Sequence, residues 1–95
     1  MKTEADNLEE GGEVYMELSE DEIKMGFVAS CIESVADRLD VPYIEVFNRM
    51  EEVGLIDRYI YACYDALHTE SRENLTTDLV QTLEFWESRK KLGND

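Results

Sequence analysis

The chain has 95 residues, 43% of them hydrophobic and 34% charged, the size and mix of one small globular domain. Nine Lys and Arg against 23 Asp and Glu leave a formal charge of -14, which excludes the broad cationic face that direct nucleic-acid binding needs. Its apolar runs are far shorter than the roughly 20 residues of a membrane helix, and its N-terminus lacks the basic then apolar layout of a signal peptide, so the expectation is a cytoplasmic protein with no membrane contact.

The first 22 residues hold nine carboxylates against Lys2 alone, a net -8. Such a segment repels itself and has too few apolar groups to offset its ordering entropy, so residues 1–18, with the Gly11-Gly12 break, are predicted to be an acidic flexible tail. Val14 to Leu18 is a short apolar patch within it, able either to lie on the domain or to form a strand with a partner.

From Ser19 the pattern turns helical, and a helical domain over 19–92 is predicted. Ser19 with Glu22 is a capping box, and Glu20, Asp21 and Glu22 suit the positive end of a helix dipole. Ile23, Phe27, Cys31, Val35 and Leu39 recur at four-residue spacing, with Val28 and Ile32 widening the stripe, which predicts a first and longest helix over 20–39. Asp40-Val41-Pro42 ends it, since proline disfavours helix in the residue before it and suits the first turn of the next helix. A second helix over 42–53 buries Ile44 or Val46, Phe47 and Met50, and Gly54 closes it as a left-handed cap. A third, over 55–68, carries Ile56, Tyr59, Ile60, Cys63, Tyr64 and Leu67 on its inner side. A fourth, over 73–91, buries Leu75, Leu79, Val80, Leu83 and Trp86, and Arg89, Lys90 and Lys91 complement its negative end. The fold class is all-α, four helices joined by short turns. The expected core is Ile23, Phe27, Cys31, Val35, Leu39, Phe47, Met50, Ile56, Tyr59, Ile60, Cys63, Leu67, Leu79, Leu83 and Trp86.

Little in the chain points to chemistry. Cys31 and Cys63 sit on apolar stripes, where a reduced cysteine acts as a small hydrophobe, and with one distant histidine they make no metal-ligand spacing. His68 is the one histidine, with Asp65 on the same helical side as a possible orienting carboxylate, yet no nucleophile adjoins the pair; Cys63 lies about 140° around the helix from it. Glu9-Glu10 and Glu51-Glu52 are adjacent in sequence and point apart. No catalytic residue, cofactor or metal is expected, and an enzyme is not the reading. Among the aromatics, Tyr61 is expected on the face of the third helix opposite its stripe and Phe85 beside Trp86, where exposed rings serve as interface anchors.

Phe27-Val28-Ala29-Ser30-Cys31-Ile32-Glu33, then Glu45-Val46-Phe47, then Tyr59-Ile60-Tyr61-Ala62-Cys63-Tyr64-Asp65-Ala66-Leu67-His68-Thr69, with Asp78 following, resemble a family of small bacterial all-helical proteins of unknown function. The pattern is F-x-x-x-C-I-E, E-V-F/Y and Y-I-x-x-x-Y-D/E-x-L-H-T, and it covers about residues 23–88, the Tyr64 to Thr69 run being its most specific part. The acidic N-terminal segment and the end from Glu84 to Lys91 depart from it. The resemblance implies a small cytosolic helical module, some of whose relatives lie beside toxin-like genes of the ADP-ribosyltransferase type, and so an antitoxin or regulatory role. An acidic helical protein with an anionic arm is physically suited to cover a basic cleft. The function expected is therefore a protein-protein interaction or regulatory module toward a partner with a basic surface, with a self-associating structural module as the alternative. Tyr61, Tyr64, Asp65, His68 and Thr69 are the candidate binding residues.

Overall fold

The computed structural model describes residues 18–93; the acidic segment read as a flexible tail lies outside the described residues, except for Leu18. Four α-helices and one π-helical segment make up the domain: α1 (Glu20–Leu39), α2 (Tyr43–Val53), the π segment (Ile56–Tyr61), α3 (Tyr64–Leu67) and α4 (Arg72–Lys91). No strand occurs among the described residues, and none of their helices is long and apolar enough to cross a membrane. The all-α class is as the sequence predicts.

Local chemistry sets each boundary. At the start of α1 the Ser19 hydroxyl accepts from the Glu22 N–H at 3.1 Å while the Glu22 carboxylate accepts from the Ser19 N–H at 2.8 Å, a reciprocal cap. At its end Asp40 takes a left-handed conformation (φ 59°), with its N–H on the Asp37 carbonyl and the Val41 N–H on the Ala36 carbonyl. A short polar side chain tolerates that conformation better than most, and Val41 folds back onto the core. Gly54 closes α2 at φ 74°, as its sequence position predicts. At α4 the Ser71 hydroxyl accepts from the Asn74 N–H at 3.1 Å.

α1 packs against α2, α4 and the π segment, and α2 packs against α4. The core they enclose is Val28, Cys31, Ile32, Val35 and Ala36 of α1; Val46, Met50 and Val53 of α2; Leu55, Ile56 and Ile60; Leu67; and Leu75, Leu79 and Leu83 of α4. The Arg49 guanidinium makes a two-pronged bridge to Glu87, both N–H···O distances 2.8 Å, which ties α2 to α4 along one edge.

Three sequence expectations need correction. Ile23, assigned to the core, is 45% exposed. Steps of four residues advance about 40° beyond a full turn each time, and Ile23, nine residues before the fully buried Ile32, comes out about 180° from it. Phe27, Leu39, Phe47, Tyr59, Cys63 and Trp86, also assigned to the core, are half-buried and pack on its edge, while Leu55 is fully buried just past the Gly54 cap, where an apolar residue folds back on the helix it follows. The third helix is not continuous over 55–68: it runs as the π segment to Tyr61, turns at Ala62 and Cys63, and resumes as α3 for a single turn. The widened turn falls where neighbouring side chains are held by different elements, Arg58 and Tyr59 by α2 and α4 and Tyr61 by α1.

Candidate functional site

Two of the five candidate residues, Tyr61 and Tyr64, meet the first two turns of α1, and His68 joins them through Tyr64. Tyr64 is half-buried; Phe27 packs edge-on against its ring, centroids 5.2 Å apart, and His68 stacks flat on it at 4.5 Å with an interplanar angle of 4°. The stack is fixed at the backbone as well, because His68 Nδ1 lies 2.8 Å from the Tyr64 carbonyl. A carbonyl only accepts, so Nδ1 carries a proton and the remaining ring nitrogen, Nε2, is the one left for another partner. Thr69 Oγ1 donates to the Ala66 carbonyl at 2.9 Å, satisfying a carbonyl at the end of α3.

Tyr61 brings α1 into the same cluster. Its hydroxyl donates to Asp21 Oδ1, and that bond, ahead of desolvation, raises the phenol above its ordinary pKa. The Lys24 ammonium lies over the rings of Tyr61 and Tyr64, 5.2 and 5.6 Å from their centroids, and 3.4 Å from Glu20 Oε2. The expectation that Tyr61 stands away from the core is therefore met only in part: the ring is half-buried against it. Asp65 and His68 are both exposed, and no hydrogen bond or ion pair joins them among the described residues. Tyr61, Tyr64 and His68 are thus drawn together, whereas Asp65 stands apart.

Around this cluster the surface is acidic and apolar at once. Glu20, Asp21 and Glu22 form the first turn of α1. Leu18, Ile23 and Met25 beside them remain 59%, 45% and 55% exposed. Leu18 and Ile23 occupy the two positions that pair across a helix start, before the cap and one turn in, so the capping geometry itself sets apolar groups next to the carboxylates. Sequence reasoning missed this patch by assigning Ile23 to the interior; the helical angle between Ile23 and Ile32 is the signal that locates it.

Cys31 is buried and desolvation pushes its thiol up to about 11, with Arg72 acting weakly the other way, so it stays a protonated thiol at neutral pH. Cys63 is half-buried and both cysteines are free. No cluster of three or more metal-binding side chains occurs among the described residues. Tyr59, on the far side of the π segment, donates to Asp78 Oδ2 at 2.6 Å. Burial first and then that hydrogen bond raise its phenol to about 12.

What these features define is a small all-α module with an aromatic cluster set against the first turns of α1. Residues 26–86 match the family described as protein of unknown function DUF3791, and the chain belongs to that family. No curated protein and no solved structure matches the chain.

Proposed function

We propose that the protein is a protein-binding module whose partner presents a basic surface to the first two turns of α1. The observation that carries this reading is the juxtaposition of Glu20, Asp21 and Glu22 with the exposed Leu18, Ile23 and Met25. Carboxylates set the orientation and speed of encounter, and the apolar side chains give contact area that water leaves on binding. Tyr61 and Tyr64 back this surface, and His68, stacked on Tyr64, offers its Nε2 as a polar contact; the exposed Asp65 and Thr69 follow on the same short helix end. Residues 1–22 carry a net charge of -8 in sequence, the same sign as the turn. An antitoxin-like role toward a basic cleft is one biological form that such binding takes.

Affinity capture from the native cell extract tests the reading when it is run with the wild-type chain beside an Ile23→Asp, Met25→Asp chain. The expected result is a basic protein retained by the first, lost from the second and released by salt. Retention of the same proteins by both chains overturns it. So does recovery of this chain alone, which would instead identify a self-associating module.

A further inference from the structure

The second charged feature lies across the π segment from that surface, where α2 ends and the last turns of α4 pass. A cleft of about 520 Å³ there is lined by Glu51, Glu52, Gly54, Arg58, Trp86, Arg89 and Lys90. In a chain with nine Lys and Arg against 23 carboxylates, three cations lining one cleft is a local reversal of the overall sign. Four other basic side chains lead elsewhere: Lys24 to Glu20, Arg38 to Glu73, Arg49 to Glu87 and Arg72 to Ser30 and Ser34. Arg58, Arg89 and Lys90 have no carboxylate within ion-pair distance among the described residues.

Arg58 is also held in place. Its Nη2 donates to the Val53 carbonyl at the end of α2, and its guanidinium lies over the Trp86 ring at 5.1 Å from the centroid. Gly54 leaves the room for it, since a Cβ there would come within 2.7 Å of the Arg58 Nε. Trp86 is steadied in turn by Tyr59, edge-on at 6.0 Å. A planar guanidinium fixed in this way needs little further ordering to engage an oxyanion through its remaining N–H groups. Glu51 and Glu52 of the same lining accept hydrogen bonds, which acetate and chloride cannot supply and a ligand carrying hydroxyls can.

From this cleft we infer that the protein binds a small phosphomonoester bearing hydroxyl groups, its phosphate on Arg58, Arg89 and Lys90 and its hydroxyls toward Glu51 and Glu52. The volume is within the roughly 300–1,000 Å³ range of small-molecule sites, and a dianion uses three cations better than a carboxylate does. The site is separate from the surface assigned to protein binding, and neither depends on the other.

Trp86 is the one tryptophan of the chain, so its fluorescence reports from the cleft without a label. The full chain is titrated with glycerol 3-phosphate, inorganic phosphate, acetate and chloride at matched ionic strength. A saturable change with glycerol 3-phosphate, weaker with inorganic phosphate and absent with acetate and chloride, is expected. Arg58→Gln should weaken it by about tenfold or more, as loss of a charge-assisted hydrogen bond does. The Arg89→Gln, Lys90→Gln chain, altered only at exposed positions, should do the same with its helical circular dichroism unchanged. No saturable change, an equal response to acetate, or undiminished binding by the Arg89→Gln, Lys90→Gln chain would each overturn the assignment.

Discussion

Two glycines give opposite predictions for the same substitution. Gly54 ends α2 at φ 74°, and a Cβ added there meets the Arg58 Nε at 2.7 Å. The left-handed conformation costs an alanine roughly 1–2 kcal/mol. The clash itself falls on the end of a flexible side chain, which swings away, but in doing so gives up its seat on Trp86, a contact of about 0.5–1 kcal/mol at an exposed site. Gly54→Ala should therefore destabilise by about 2 kcal/mol, and in a domain this small that lowers Tm by roughly 8–16 °C. Gly26, exposed in the interior of α1 with nothing within 4 Å of its absent Cβ, lacks both penalties. There alanine removes backbone freedom from the unfolded chain and should stabilise by about 0.5–1 kcal/mol. Urea denaturation followed in parallel by helical circular dichroism and Trp86 emission measures both, the emission also sensing departure of Arg58. A Gly54→Ala chain within about 0.5 kcal/mol of wild type, or a Gly26→Ala chain that loses stability, would refute the account of these two sites.

Further expectations follow from the core and the phenols. Ile32→Ala should cost about 2–5 kcal/mol in the same denaturation assay, whereas Ile23→Ala should stay within about 0.5 kcal/mol of wild type. Phe27→Ala, at a half-buried ring, should fall between them. Tyr59, at about 12 in the folded protein against an ordinary 10.0, holds its proton more tightly folded than unfolded. Its contribution is thus complete below about pH 10 and is lost as pH rises through about 12, so Tyr59→Phe should flatten the alkaline limb of a stability-against-pH curve over that window. In thiol modification at neutral pH, half-buried Cys63 should react before the buried Cys31, and full reaction of Cys31 should require unfolding.

Much of the architecture is legible in the residues because its signals are local. A capping box, an Asp-Val-Pro break, a glycine at a left-handed position and a run of cations at the last turn each act within a few residues, and the ends of α1, α2 and α4 fall within one residue of where they are predicted. Facing is harder to read. A row of residues four apart winds around a helix, so the same row that finds Cys31 and Val35 also collects Ile23, which lies about 180° from the fully buried Ile32. The π segment is hidden for a different reason: its widened turn accompanies Arg58 and Tyr59 being held by α2 and α4 and Tyr61 by Asp21, contacts made across the fold. Tyr64 and His68 stand out as a motif in the chain, but their stack against Phe27 belongs to tertiary structure, and so does the cleft around Arg58, whose residues come from three separate stretches.

The central claim is that acidic charge steers a basic partner onto the exposed apolar groups of α1. Association rates with the captured partner, measured by surface plasmon resonance for the wild-type chain and for a Glu9→Gln, Glu10→Gln, Glu13→Gln, Glu17→Gln chain, test it most directly. The account predicts a slower on-rate for the neutralised chain at about 0.1 M salt, where charges act over roughly 10 Å, and convergence of the two chains near 1 M, where that length falls to about 3 Å. Equal on-rates for the two chains at both salt concentrations would contradict it.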